Sequence, residues 1–285
     1  MSVQKRLRRL AAWAFGPSLS SQYLPALRAR GHTVPYDAKR SWTSRYERVL
    51  VEGDLDDAST IKHASSALRA RYHYNAVENA ILEQALDAGF PERPATLDIG
   101  AGAGHWIDFY RRVLGACRVV GVEISASAAA ALAAGYADDP DVSIVGGDVA
   151  DEDFDLGERF DVVNAVDVLF HVVDDGSWSR AVRNLAAHLR PGGRLVVAEH
   201  VGVVTHDAGF RSPDPAQGEA PDSPDRRAVM VTKRVRSLRS WRACARDAGL
   251  TEVATARIRK SRSLATPANR LLVFAWDPRR DRDHA

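Results

Sequence analysis

Between Leu97 and Gly104 the chain reads Leu-Asp-Ile-Gly-Ala-Gly-Ala-Gly, an acidic residue followed by glycines at every second position. Glycine lets the backbone approach a ligand closely and adopt turns that a side chain would block. A helix starting directly after such a loop presents free N–H groups to polar or anionic ligand atoms. A dinucleotide site would read Gly-x-Gly-x-x-Gly or -Ala. Counted from Gly100, its last position falls on His105, so a nicotinamide-dependent oxidoreductase fits poorly. Farther on, Glu123 closes the run Val119-Val120-Gly121-Val122. A carboxylate at the end of a second strand can accept both hydroxyls of a ribose. The competing role is a partner for the dipole of the helix after Ser125. In Gly147-Asp148-Val149 the Asp side chain can accept from an adenine amino group. These three places together ask for a ligand that carries adenosine.

Positioning them requires a sheet. Ala95–Ile99, Arg118–Val122, Val142–Val145, Phe160–Val166 and Arg194–Ala198 read as strands. They alternate with helical stretches at Trp106–Leu114, Ser125–Ala134 and Ser177–Leu189, and Pro191-Gly192-Gly193 forms the turn before the fifth strand. That rhythm predicts an α/β fold with a parallel sheet covered by helices on both faces. Leu238–Ala248 is a further helix ending at Gly249, and Val253–Ile258 and Arg270–Trp276 are two final strands. Before the sheet, Ile61, Ala64, Leu68, Val77, Ala80, Ile81 and Ala85 recur at helical spacing, as two helices or one broken near Tyr72-His73-Tyr74. Residues 1–57 show no sustained period, and residues 201–227, with Pro213, Pro215, Pro221 and Pro224, read as a long loop. The expected organisation is a basic N-terminal arm (1–57), a helical cap (58–94), the ligand-binding domain (95–277, with 201–236 as loop and acceptor cap) and a charged tail (278–285).

Residues 97–104, Glu123, Asp148 and Pro191-Gly192-Gly193, in this order, resemble the class I S-adenosylmethionine-dependent methyltransferases, in particular their small-molecule branch. The resemblance spans about residues 70–276. It implies a Rossmann-like doubly wound sheet of seven strands, the last antiparallel, with an N-terminal helical extension. It also implies S-adenosylmethionine as cofactor. Asp98, Gly100, Ala101, Gly102 and Gly104 would hold its methionine part and Glu123 its ribose. Ile124, Asp148 and Val149 would surround the adenine, with Asn164 and Val166 lining the site.

The sulfonium is already a strong methyl donor, so catalysis rests largely on aligning the acceptor. An oxygen acceptor of high pKa also needs a base or a metal. His171 and His200 follow the fourth and fifth strands, at the ends where open sheets place ligands, and are the candidate bases; His73 is a weaker third. The alternative for each is a polar residue hydrogen-bonded at the rim. Arg71, Tyr72 and Tyr74, which can close over the cofactor, and Arg234 in Lys233-Arg234-Val235-Arg236 are the candidate acceptor-binding residues, suited to an acidic group. The fourth strand ends Asn164-Ala165-Val166-Asp167, without the Asn/Asp-Pro-Pro-Tyr/Phe pattern of enzymes that methylate amino groups of adenine or glutamine. That leaves oxygen, or a more ordinary nitrogen or carbon acceptor; the expected acceptor is a small molecule (a glycan, lipid head group or secondary metabolite), with oxygen as the favoured atom.

The 285 residues suffice for a core without disulfides, and Cys117 and Cys244 read as reduced, inert thiols. No paired Cys/His spacing asks for a metal. The net charge is +2, but Lys5, Arg6, Arg8, Arg9, Arg28, Arg30, Lys39, Arg40, Arg45 and Arg48 face only Asp37 and Glu47 near the start of the chain. Such an arm suits weak contact with an anionic membrane surface or, as the alternative function, a nucleic-acid-binding methyltransferase. No aromatic-basic motif supports nucleic acid as a partner. No stretch approaches the roughly 18 apolar residues of a membrane span, so a cytoplasmic monomer or homodimer is expected.

Overall fold

The computed structural model describes residues 33–53, 55–56, 67–208, 229–259 and 269–276. The basic residues at positions 5–30 and the charged tail at 278–285 lie outside them.

The strands β1 (Ala95–Ile99), β2 (Arg118–Glu123), β3 (Val142–Gly146), β4 (Phe160–Val166), β5 (Leu189–His200), β6 (Leu250–Arg257) and β7 (Asn269–Trp276) form one sheet. Its spatial order is β6-β7-β5-β4-β1-β2-β3. Strands β1 to β5 pair in parallel, with Leu97 opposite both Val120 and Val163. The last strand, β7, runs antiparallel to both β5 and β6, as the resemblance implies. All five residues of β1 are buried. A central parallel strand has helices on both faces, so its sequence is apolar apart from the buried Thr96 and Asp98.

Alternate residues feed two cores. Leu97, Val163 and Leu195 pack with Trp178 and Leu185 of α5 (Asp175–Ala187) and Trp241 of α6 (Leu238–Asp247). On the opposite face Val119, Val162 and Val196 pack with Val77 and Ile81 of α2 (Ala67–Ala88), Ile107 and Tyr110 of α3 (His105–Arg112), and Leu132 of α4 (Ala126–Gly135).

Three local outcomes differ from the sequence reading. Helix α2 runs unbroken through Tyr72-His73-Tyr74 because Tyr74, Val77 and Ile81 are buried against the sheet, and packing overrides weak propensity. Pro191-Gly192-Gly193 lies within β5, looped out between the pairs Phe160–Leu189 and Val162–Arg194. The third is α1 (Ala38–Glu52), inside the segment without a recognised period. Asp37 caps it by accepting from the Arg40 N–H at 2.9 Å, and Trp42, Tyr46, Val49 and Leu50 share one face.

Within 201–236, His206–Ala208 pairs antiparallel with Lys233–Val235, and residues 209–228 lie outside the described chain. No described helix is long and apolar enough to cross a membrane.

Candidate functional site

The glycine loop leaves β1 at the point where the strand order reverses between β1 and β4, where open sheets leave a crevice. Gly100, Gly102 and Gly104 all have positive φ. The N–H groups of Gly100 and Ala101 both donate to the Val122 carbonyl, at 2.8 and 3.0 Å. A Cβ on Gly100 would lie 2.5 Å from Val168 Cγ2, and one on Gly104 would lie 2.6 Å from the Tyr136 hydroxyl. Both space and dihedral therefore require glycine at these two positions.

Glu123 holds the loop from below. Its Oε2 accepts from the Gly102 N–H and its Oε1 from the Ser125 N–H, each at 3.0 Å. Burial raises its pKa, opposed by the N–H groups of Ser125, Gly102 and Ile124. A carboxylate has about four acceptor positions, so these bonds leave room for ribose hydroxyls. Of the two roles weighed from sequence, the contact with the start of the helix is the one seen directly, because Ser125 caps α4.

Asp98 is fully buried. Its Oδ1 accepts from Asn164 Nδ2 at 2.7 Å, and Asn164 Oδ1 accepts from the Tyr110 hydroxyl at 3.3 Å. Asp98 Oδ2 has no hydrogen-bond partner among the described residues. Burial pushes its pKa up to about 7 against the pull of Asn164 and His105, and Glu123 adds to the rise. A buried acceptor without a donor is costly, so this oxygen calls for a ligand donor or cation. The ammonium and ribose of S-adenosylmethionine match the Asp98–loop–Glu123 cradle in chemistry and order. Asp148 is half-buried, accepting from the Ala150 N–H at 2.9 Å, with Val149 buried beside it. Lys39 and Asp37 act on the Asp148 carboxyl, and Glu123 acts on the Tyr46 hydroxyl. Helix α1 therefore runs along this cleft.

Within the same N-terminal part of α1, Trp42 reaches His171, edge-on to the imidazole at 5.1 Å. His171 Nδ1 lies 2.9 Å from the Thr232 carbonyl, which can only accept, so Nδ1 carries the hydrogen. Burial first, then Lys233, lowers its pKa to about 3. Such an imidazole takes up protons poorly, so the geometry favours a pin between the β4 turn and the cap over a base. His200 is half-buried at the end of β5, its ring 5.3 Å from Phe170.

The acceptor candidates separate. Tyr74 is buried and stacks on His105 at 3.6 Å, but Arg71 and Tyr72 point to solvent. Helical geometry explains this: Ala70, Tyr74, Val77 and Ile81 face the sheet, which turns Arg71 and Tyr72 outward. Arg234 is matched by Asp207 at 2.8 Å and Asp175 at 3.0 Å, which corrects its reading as the receptor of an acidic acceptor. Sequence reasoning passed over Trp42 and Tyr46, although the Asp37 cap and the spacing of positions 42, 46, 49 and 50 signal their helix. Among the described residues no cluster of His, Cys, Asp and Glu suits a metal.

Residues 96–193 match a family model described as a methyltransferase domain. A ubiquinone biosynthesis O-methyltransferase from Bradyrhizobium sp. strain ORS 278 is 44% identical over 102 residues, 36% of this chain and 38% of that protein. A dTDP-4-amino-2,3,4,6-tetradeoxy-D-glucose N,N-dimethyltransferase from Saccharopolyspora spinosa is 34% identical over 125 residues, 43% of this chain and 47% of that protein. The chain thus matches less than half the length of these relatives. Among solved structures, the N-methyltransferase NodS from Bradyrhizobium japonicum WM9, in complex with S-adenosyl-L-homocysteine, aligns with a TM-score of 0.54 at 18% identity, covering 85% of this chain and 100% of that one. The glycopeptide N-methyltransferase MtfA, complexed with sinefungin, aligns at 0.52 and 18% identity, covering 70% and 94%. At such identities the likeness is one of fold. The matched segment, a methyltransferase domain by that model, holds the glycine loop, Glu123, Asp148 and the Pro191-Gly192-Gly193 loop, the features on which the chain resembles the class I S-adenosylmethionine-dependent methyltransferases.

Proposed function

We propose that the protein transfers the methyl group of S-adenosylmethionine to a small-molecule acceptor, on oxygen. The observation that carries this reading is the cradle of Asp98, the glycine loop and Glu123, with a buried carboxylate oxygen left for the ligand. When bound, the cofactor supplies a methyl group already activated by its sulfonium. Asp98, Gly100, Ala101, Gly102 and Gly104 hold the methionine part; Glu123 takes the ribose; Ile124, Asp148 and Val149 enclose the adenine. Asn164 orients Asp98, and Val166 lines the wall beside it. Helix α1 screens the cleft from water. Oxygen as the acceptor atom is favoured by the ubiquinone-pathway relative, whose matched segment is the more similar of the two. Of the three candidate bases, His200 and His73 keep partial access to solvent, and His171 is covered by Trp42.

The test is calorimetric titration with S-adenosylhomocysteine and with NAD, followed by incubation with methyl-labelled S-adenosylmethionine and a small-molecule extract. Binding of S-adenosylhomocysteine alone, with label in an ether or ester product, is expected. Tighter binding of NAD would overturn the cofactor, and a label found only on nitrogen would overturn the acceptor atom. Gly102→Val and Glu123→Ala should each weaken binding at least about tenfold, since the first puts a β-branched side chain at a positive φ in the loop and the second removes the carboxylate that holds the Gly102 N–H.

A further inference from the structure

His73 and Asp167 stand 94 positions apart, yet His73 Nε2 lies 2.8 Å from Asp167 Oδ2. His73 comes from α2 and Asp167 directly follows β4, so the pair bridges the crevice at the end where Asn164 and Val166 line its wall. Both side chains are mostly shielded, at 17% and 26% exposure. Asp167 is one of two non-glycine residues with positive φ among those described, at 58°. Aspartate tolerates this region better than most residues, but it still costs about 1 kcal/mol and is kept where the surroundings impose it. Here the Asp167 N–H donates to the Ala198 carbonyl at 2.9 Å, which fixes the backbone between β4 and β5. The next residue, Val168, packs directly over Gly100. The strained residue therefore sits at the cofactor loop.

We propose that His73 is the general base for methyl transfer and that Asp167 positions it; this rests on the reading of the cleft as a methyl-transfer site. An ionised carboxylate only accepts, so Nε2 carries the ring hydrogen and Nδ1 keeps its lone pair. Among the described residues no group hydrogen-bonds to His73 Nδ1. His171, by contrast, spends its hydrogen on a carbonyl and lies under Trp42. The groups around the dyad are Asp167 itself, His171 and Lys233 beyond it, Tyr74 next along α2, and the His105–Glu78 pair farther along that helix, at 2.7 Å.

The acceptor's O–H proton passes to Nδ1 while its oxygen forms a bond to the methyl carbon. The carbon–sulfur bond breaks and its electron pair stays on sulfur, leaving the neutral thioether of S-adenosylhomocysteine. The imidazolium formed is offset by the Asp167 carboxylate and returns its proton to solvent.

The experiment uses the full chain and three variants, His73→Gln, His73→Ala and Asp167→Asn. Calorimetry with S-adenosylhomocysteine comes first, and affinities within about twofold of the parent are expected, since neither side chain belongs to the cradle. Failure of the parent chain to bind would overturn the underlying reading instead. Transfer of label from S-adenosylmethionine to the acceptor fraction should fall about 100-fold or more in both His73 variants, and the acid limb of the pH profile should vanish. Turnover of His73→Gln within about threefold of the parent would overturn the proposal. NMR of the imidazole nitrogens in the S-adenosylhomocysteine complex decides independently of any acceptor. The hydrogen is expected on Nε2 in the parent, with the preference lost in Asp167→Asn. A hydrogen on Nδ1 in the parent would also overturn the assignment.

Discussion

Asp98 lies under the glycine loop with its ionisation moved up to about 7 by burial. The unfolded chain ionises such a carboxyl near 4, so between about 4 and 7 the native state binds more protons. This group alone therefore makes stability fall as pH rises through that window, by on the order of 4 kcal/mol in total. His171, lowered to about 3, has the opposite sign, and its contribution is lost as pH falls from about 6.5. The two slopes nearly cancel between about 4 and 6.5. In Asp98→Asn that cancellation disappears, and urea midpoints should rise with pH over this range; a flat profile would refute the coupling. A ligand ammonium at Oδ2 must find Asp98 ionised. Uptake of S-adenosylhomocysteine at pH about 6 is thus expected to release close to one proton, read by calorimetry in buffers of different ionisation heat. Asp98→Asn should show no such release. Gly100→Ala combines a positive φ with a Cβ 2.5 Å from Val168. It should cost about 1–3 kcal/mol in denaturant unfolding and weaken the ligand at least tenfold.

At the scale of elements, α1 and the cap strand Lys233–Val235 act on the site from above. Helix α1 has one buried residue, Tyr46, so little of its stability comes from the core. A ligand bound in the cleft beneath it would add contacts to this helix. Amide exchange of residues 38–52 should slow on addition of S-adenosylhomocysteine, and Trp42→Ala should reduce that protection. Unchanged exchange would show that α1 does not cover the ligand. The cap is held by Arg236, nearly fully buried over the Trp178 ring at 4.2 Å. Its guanidinium donates to the carbonyls of Val172 and Asp174, and to Asp175 at 3.0 Å. Arg236→Ala strips these acceptors of their donor and should cost about 3 kcal/mol, visible as a lower thermal midpoint. The exposed Arg242–Glu252 pair, by comparison, should be worth less than about 1 kcal/mol.

For the whole molecule, ligand binding and folding are linked through the reversal between β1 and β4. Both walls of the crevice, Asp98 with its loop and Asn164 to Val166, are built on central strands of a sheet with two cores. A ligand that binds only this native arrangement stabilises it by about 2.7 kcal/mol at a concentration 100 times its dissociation constant. S-adenosylhomocysteine should therefore raise the thermal midpoint by roughly 5–10 °C, and NAD at the same concentration should leave it unchanged.

The proposed cofactor side of the site could be read in the amino-acid order because its determinants are local. Glycines at alternate positions after Asp98, a carboxylate closing β2 and an aspartate after β3 each act within one strand–loop unit, and parallel packing aligns those units at one edge. Helix α1 was also present in the sequence, in the Asp37 cap and the Trp42–Tyr46–Val49 spacing, but its polar surroundings hid the period. What no local pattern contains is the meeting of His73 with Asp167, the matching of Arg234 by Asp207 and Asp175, or the burial of His171 beneath Trp42. Each joins elements distant along the chain, and each depends on which way a helix face turns when it packs. The residues proposed for the donor are set by neighbours in sequence; the contacts of His73, His171 and Arg234 are decided by neighbours in space.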